Sequence, residues 1–353
     1  MTKIILTGGG TAGHVHPLLA VAKILQRNHA VKLVYVGSSG IEKETVLKEN
    51  IPFRTILTGK RRNYASLHNF LDIFKVFLGT WQAFFILRSF RPDVILAKGG
   101  YVTFPVLFWA KSMKIPVIIH ESDSVMGRTN RWAASFARRV CVGFPMKYYR
   151  DIPVEKTVYT GVPTSKDFFS GETNAAKPAI LVTGGSQGSQ AINKIVFQIA
   201  LELVKQFEVY HIVGKKNYEL IADKKNEMIA YHVIAYTDEM SKLMAQSDLI
   251  ISRASASTLS EISALSKCAI LIPLPGAAQD HQTANAKVYE ENTAAVVLSE
   301  KNLTAGSLLS IIKHLMADDK MREILGRHAH EFSVPDSAQE IVDIIFEVIN
   351  EKH

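Results

Sequence analysis

His14 stands at the end of a glycine cluster, Gly8-Gly9-Gly10-Thr11-Ala12-Gly13. Glycines let a ligand approach the backbone, and a helix that starts after such a loop offers N–H groups with partial positive charge. An imidazole there is placed to exchange a proton beside a phosphate or a sugar. Residues 8–13 also fit G-x-G-x-x-G, a pattern that needs its context before it means a dinucleotide. A second cluster, His120-Glu121-Ser122-Asp123, follows an apolar run and suits sugar hydroxyls or acid–base work. Before it, Gly99-Gly100 in AKGGYVTFP forms another loop that a ligand can approach closely. In SRASASTLSEI (252–262), small hydroxyl residues and a helix start can meet a diphosphate, and Glu261 can accept from a ribose diol. Ser257 reads there as a helix cap. In PLPGAAQDHQTANA (273–286), Gln279, Asp280, His281 and Gln282 cluster at a turn, with Gln282 and Asn285 on one helix face.

Each of these clusters needs a strand before it and a helix after it. The apolar runs Lys3–Leu6, Lys32–Val36, Phe53–Ile56, Val94–Ala97, Val117–His120 and Val140–Gly143 supply strands in the first half. Ala179–Thr183, Val209–Val213, His232–Ile234, Leu249–Ser252, Ala269–Ile272 and Ala295–Leu298 supply them in the second. Helical periods lie between, such as Leu18–Gln26, Asn193–Lys205 and Asn285–Glu291. Continuous apolar strands alternating with helices predict parallel sheets covered on both faces, which bind ligands beyond the strands' carboxyl ends. ILTGG at 5–9 recurs as LVTGG at 181–185, so the halves share one plan and a site would lie in a cleft between them. The expected division is 1–161, 162–335 and a closing helix in 336–353 capped by Asp336, with the boundary inside the Gly-, Pro- and Ser-containing stretch 161–178.

One helix is unusual. Ser66 can cap a segment from about Leu67 to Phe90 whose polar residues Asn69, Asp72, Lys75, Gln82 and Ser89 form a narrow stripe. The rest is aromatic: Phe70, Phe74, Phe77, Trp81, Phe84 and Phe85. Asp72 and Lys75 argue against a membrane span. A deeply buried helix is one reading. A lipid-facing arc is the other, with Lys60, Arg61, Arg62, Arg88 and Arg91 meeting lipid phosphates.

A net charge of +8 fits nucleic acid, an anionic membrane face or a phosphorylated substrate, but no nucleic-acid motif is present. Cys141 and Cys268 lie in apolar runs and read as buried thiols of a reducing compartment. Lys3–Leu6 is too short for a signal-peptide core. No cluster has metal-ligand spacing, and no cofactor is expected. A nicotinamide site would want an acid near the end of the second strand, where the chain reads VYVGSSG (34–40).

TGGGTAGH (7–14), KGGYV (98–102), HESD (120–123), TGGSQGS (183–189), SRASASTLSE (252–261) and DHQTANA (280–286) resemble, in content and order, the MurG family of bacterial peptidoglycan synthesis. The resemblance covers nearly the whole chain. It implies the GT-B fold, an α/β architecture of two Rossmann-like domains whose parallel sheets face a central cleft. It implies an inverting transfer of N-acetylglucosamine from UDP-GlcNAc to the 4-hydroxyl of MurNAc-pentapeptide on undecaprenyl diphosphate, lipid I becoming lipid II. The enzyme would sit peripherally on the cytoplasmic, anionic face of the cell membrane. Carried over by motif, Ser186 and the helix start Ala256, Ser257, Thr258, Leu259, Ser260 and Glu261 would meet diphosphate and ribose. Thr237 would meet uracil, and Gln282 the donor sugar or diphosphate. Thr11, Ala12 and Gly13 would close on the donor, and Asp123 would touch its sugar. Asp123 stands where many members carry Asn, and Ser165 where many carry Arg. His14 and Glu121 are the candidate general bases, His14 favoured for its near-neutral reference pKa. A diacylglycerol glycosyltransferase and a UDP-GlcNAc 2-epimerase are the alternatives of similar architecture.

Overall fold

The computed structural model describes residues 1–10, 12–59, 67–150, 152–169, 177–185, 187–221 and 229–351. Thr11, Ser186, Lys60–Arg62 and Ser66 lie outside them. The apolar runs become strands, and those at the centre of each sheet are buried because helices cover both faces. In the first half these are β1 (Thr2–Thr7), β2 (Val31–Gly37), β3 (Phe53–Thr55), β4 (Val94–Ala97), β5 (Val117–Glu121), β6 (Arg139–Val142) and β7 (Thr157–Tyr159). In the second they are β8 (Ala179–Thr183), β9 (Glu208–Ile212), β10 (Tyr231–Ile234), β11 (Leu249–Ser252), β12 (Cys268–Leu271) and β13 (Val296–Val297).

Every pairing is parallel, in the orders β3-β2-β1-β4-β5-β6-β7 and β10-β9-β8-β11-β12-β13. Each order reverses direction beside the strand that carries Thr-Gly-Gly, at β1/β4 and at β8/β11. Open α/β sheets present ligand-binding loops at such a reversal, and the candidate clusters follow these strands. The edge strand β7 was not among the apolar runs: it is the short segment TVY, and Val158 is exposed.

The chain divides into two units, one of Met1–Pro163 with Asp336–His353, the other Thr164–Pro335. In the first, α1 (His16–Asn28) lies on one face of the sheet, α2 (Ile41–Lys48) follows β2, and α3 (Leu67–Phe90), α4 (Thr103–Ser112) and α5 (Arg128–Ala134) cover the other face. In the second, the helices are α6 (Gln190–Leu203), α7 (Lys215–Ile221), α8 (Met240–Gln246), α9 (Ala256–Ala264), α10 (His281–Glu291), α11 (Ala305–Ala317) and α12 (Asp319–His330). The last helix, α13 (Ser337–Asn350), returns to the first unit. Its Ile341, Val342, Ile345 and Val348 are buried with Leu18, Val21 and Leu25 of α1. Asp336 occupies the cap position of α13, but its side chain makes no capping hydrogen bond. Cys141 and Cys268 are free and buried.

The segment α3 is not deeply buried. Gly79, Ala83 and Leu87, spaced four apart, face the protein, and the Trp109 indole of α4 donates to the Thr80 carbonyl at 2.7 Å. On the other side Phe77, Leu78, Trp81 and Phe85 are exposed, Phe85 by 63%. Phe104 and Phe108 of α4 extend this aromatic surface. Among the described residues no helix is long and apolar enough to cross a membrane.

Candidate active site

In the first unit the loop after β1 enters a short 3-10 turn, Ala12–His14, before α1 begins with Pro17 in its first turn. Two side chains brace the loop from behind. Tyr35 Oη donates to the Gly8 carbonyl at 2.9 Å. Glu42, at the start of α2, accepts from Ser38 N at 3.1 Å and from the Ser38 hydroxyl. His14 is half-buried, and its imidazole edge lies against Gly100: a Cβ built there would sit 3.7 Å from His14 Cδ2. The fold thus brings together the glycine loops after β1 and β4, Gly8–Gly10 and Gly99–Gly100, which are far apart in sequence. Gly10, Gly99 and Gly100 all adopt positive φ, where a side chain would be strained.

The turn after β5 is organised by Glu121. Its Oε1 accepts from Asp123 N at 3.1 Å, and its Oε2 accepts from Gly127 N at 2.8 Å and Asn130 Nδ2 at 2.9 Å. Burial, then Asp123, pushes this carboxyl upward, while Lys98 and the donors from Gly127 and Asn130 pull it down. With both oxygens accepting inside the protein, Glu121 is built to shape the turn. Its neighbour His120 is buried; desolvation, helped by Lys98, pushes its pKa down to about 3, so the ring is neutral. Nε2–H therefore donates to the Gly161 carbonyl at 2.9 Å, which leaves Nδ1 to accept from Ser122 Oγ at 3.4 Å. Asp123 is half-buried at the rim, its carbonyl accepting from Tyr149 Oη at 2.8 Å.

In the second unit the cap of α9 is Ser255, not Ser257: Ser255 Oγ accepts from Thr258 N at 3.3 Å. Ser257 lies inside the first turn. That cap uses the Thr258 N–H and leaves those of Ala256 and Ser257, which no helix carbonyl can reach, for a ligand. Ala256 and Leu259 bury their side chains, so they present only backbone. The Ser260 hydroxyl is hydrogen-bonded to that of Thr164. Glu261, a turn further, keeps some exposure, and burial pushes its carboxyl up to about 8. Thr237 lies past the end of β10, its Oγ1 accepting from Glu239 N at 3.0 Å. Gln282 Oε1 accepts from Leu274 N at 2.9 Å, tying α10 to the loop after β12. Asn285, on the same helix, is buried and donates to the Ala254 carbonyl at 3.2 Å. Before Gln282, Gln279 and Asp280 are consecutive non-glycine residues of positive φ, the kind of local strain found at ligand sites.

Two residues of the site were not singled out from sequence. Arg253, 6% exposed, donates through Nη1 to the carbonyls of Ile272 (3.0 Å) and Pro273 (3.2 Å) and through Nη2 to Ser189 Oγ (2.6 Å). It also pairs with Glu300 at 2.5 Å. One planar fork thereby joins the ends of β11 and β12 to the cap of α6. Lys98, 1% exposed, donates to Ser122 Oγ. A charged residue placed directly after an apolar strand was the available signal for both.

The Glycosyltransferase family 28 N-terminal domain matches residues 4–142, and its C-terminal domain matches 179–341. Fold and site define a GT-B glycosyltransferase of that class. A Clostridium perfringens relative, named UDP-N-acetylglucosamine–N-acetylmuramyl-(pentapeptide) pyrophosphoryl-undecaprenol N-acetylglucosamine transferase, is 40% identical over 97% of this chain and 97% of its own. The crystal structure of Acinetobacter baumannii MurG superposes with a TM-score of 0.80 at 29% identity, covering 98% of this chain and 100% of that one. The chain belongs to the MurG family of N-acetylglucosamine transferases. A UDP-GlcNAc 2-epimerase from Neisseria meningitidis, bound to UDP-GlcNAc, has a TM-score of 0.68 at 14% identity, covering 98% and 100% of the two chains; that likeness is one of fold.

Proposed function

We propose that this protein transfers N-acetylglucosamine from UDP-GlcNAc to the 4-hydroxyl of MurNAc-pentapeptide on undecaprenyl diphosphate, with inversion at the anomeric carbon. The observation that carries the reading is the 40% identity, over nearly the full length of both chains, to a relative named for this transfer.

The second unit holds the donor. The N–H groups of Ala256 and Ser257 take the diphosphate, with Ser186 from the loop after β8. Glu261 accepts from the ribose diol, backbone near Thr237 meets uracil, and Gln282 meets the sugar or diphosphate. Helix-start N–H groups stabilise negative charge as UDP leaves. The first unit supplies the base. His14 takes the proton from the acceptor hydroxyl as oxygen attacks the anomeric carbon and the bond to UDP breaks. Glu121 is the weaker candidate, because its oxygens already accept three N–H bonds. Thr11, Ala12 and Gly13 follow the donor, and Asp123 meets its sugar.

The exposed aromatic surface of α3 and α4 supports peripheral docking on the anionic, cytoplasmic face of the cell membrane. Phe77, Trp81, Phe85, Phe104 and Phe108 would enter the acyl boundary, with Arg88 and Lys111 on the same two helices near lipid phosphates. A prenyl-linked acceptor requires such a position.

The test is UDP release from UDP-GlcNAc with and without a lipid I analogue. Release that depends on the acceptor, with UDP-glucose a poor donor, is expected. Donor consumption without acceptor would replace the transferase with an epimerase, and release with diacylglycerol in place of lipid I would reassign the acceptor.

A further inference from the structure

Lys98 follows β4 directly and is 1% exposed. A lysine head group is rarely taken out of water without a carboxylate to offset the cost. Its hydrogen-bond acceptor is a hydroxyl, Ser122 Oγ. The charges that act on it are the carboxylates of Glu121 and Asp123, which oppose the downward push of burial on its ammonium. Those carboxylates stand two residues apart on one turn, and His120 and Asn130, which pack into the same place, are neutral. Removing Lys98 takes away the cation that acts on both carboxylates of that turn. That turn would have to receive a substrate that itself bears a diphosphate.

The hydrogen bonds also have one direction. Lys98 Nζ donates to Ser122 Oγ, Ser122 donates to His120 Nδ1, and His120 Nε2 donates to the Gly161 carbonyl. The ammonium has no lone pair to accept with, so it turns the Ser122 hydroxyl toward His120 Nδ1, the nitrogen left to accept once Nε2–H donates to the Gly161 carbonyl. The relay ends two residues before Pro163, where the chain leaves the first unit.

We infer that Lys98 is a positioning residue for the transfer reaction: its buried ammonium compensates Glu121 and Asp123 and holds the 120–123 turn in its working geometry through Ser122. The inference rests on the transferase reading for its catalytic consequence.

A double-mutant cycle tests it, with Lys98→Met, Asp123→Asn and the double variant assayed for kcat and thermal midpoint. Lys98→Met should lower kcat by about tenfold or more, because it removes the buried cation that acts on both carboxylates and frees the Ser122 hydroxyl. Asp123→Asn in the double variant should restore at least roughly fivefold of that loss, the coupling expected of charges that share one pocket. A lysine that only fills space would give no rescue, and a double variant at the product of the two single effects overturns the inference. If Lys98→Met does not fold, the double variant decides: folded and active supports the pairing, unfolded overturns it. Wild-type protein that transfers no N-acetylglucosamine defeats the proposed function instead. The pairing is then read from the same cycle in thermal midpoints, where additivity overturns it and rescue supports it.

Discussion

Behind the two Thr-Gly-Gly loops lie groups of opposite charge. After β1, a Cβ on Gly9 would meet the Glu42 carboxylate at 2.7 Å, and one on Gly10 would meet the Tyr101 ring at 2.9 Å. The loop is filled from behind, and a carboxylate stands against Gly9. After β8, a Cβ on Gly185 meets nothing within 4 Å. There the neighbouring Ser189 receives a hydrogen bond from Arg253, whose guanidinium is partly neutralised by Glu300. A carboxylate behind a glycine loop discourages an anion; a guanidinium beside one favours it. On the proposed function the same three residues would serve different chemistry: proton transfer and hydroxyl recognition in the first unit, diphosphate binding in the second. A glycine motif sets how closely a ligand can approach, and the residues behind it set what charge that ligand can carry.

The largest expected effect tests the first loop. His14→Ala should lower turnover by roughly 100-fold or more while UDP binding, assigned to the second unit, stays unchanged in titration calorimetry. Turnover within a few-fold of wild type would remove His14 as the base and erase the functional contrast between the loops. A smaller effect sharpens the second site. The free Glu261 carboxyl titrates near 8, pushed up by burial, whereas a ribose diol donating to it favours the ionised form. Binding UDP then releases a proton, so affinity should rise with pH by up to about tenfold per unit below about 8, and Glu261→Gln should flatten that slope. The same shift works on stability in the absence of ligand. A carboxyl raised in the folded state contributes fully below its unfolded value and loses that contribution as pH rises toward about 8. UDP affinity that is flat with pH in the wild type would detach Glu261 from the ribose. The smallest effect compares the loops directly in thermal unfolding. Gly185→Ala meets only the cost of its positive φ, about 1–2 kcal/mol. Gly10→Ala carries the same φ cost and must also displace Tyr101, so it should destabilise more. Equal losses would mean that the first loop is not braced as described.

The sheets were legible because a strand buried on both faces has to be apolar at every position. All twelve apolar runs are strands; among the described residues β7, the short edge segment TVY, is the one strand not anticipated, because its apolar signature is limited to Val158 and Tyr159. The glycine loops and polar clusters could be located because each directly follows such a run. What the side chains do there could not be read so directly, because it depends on partners distant in sequence. Lys98 reaches Ser122 across 24 residues, and Arg253 reaches Ser189 across 64. The cap of α9 fell two residues earlier than expected because SRASAS offers several residues able to cap, and backbone geometry selects Ser255. The aromatic arc of α3 could be read as buried or exposed. The buried stripe of Gly79, Ala83 and Leu87 settles which side packs.

The return of α13 to the first unit has a consequence for biosynthesis. The apolar face of α1 is made before the second unit begins, yet its packing partner, α13, follows the whole of that unit. The second unit is complete before the first can be, reversing the usual order in which an emerging chain folds. Throughout elongation Leu18, Val21 and Leu25 wait with one side uncovered. Arg139, whose guanidinium pairs with Glu347 and Glu351, likewise awaits its partners. A nascent chain stalled or cleaved just before residue 336 would thus leave α1, rather than the segment made most recently, exposed to aggregation and proteolysis.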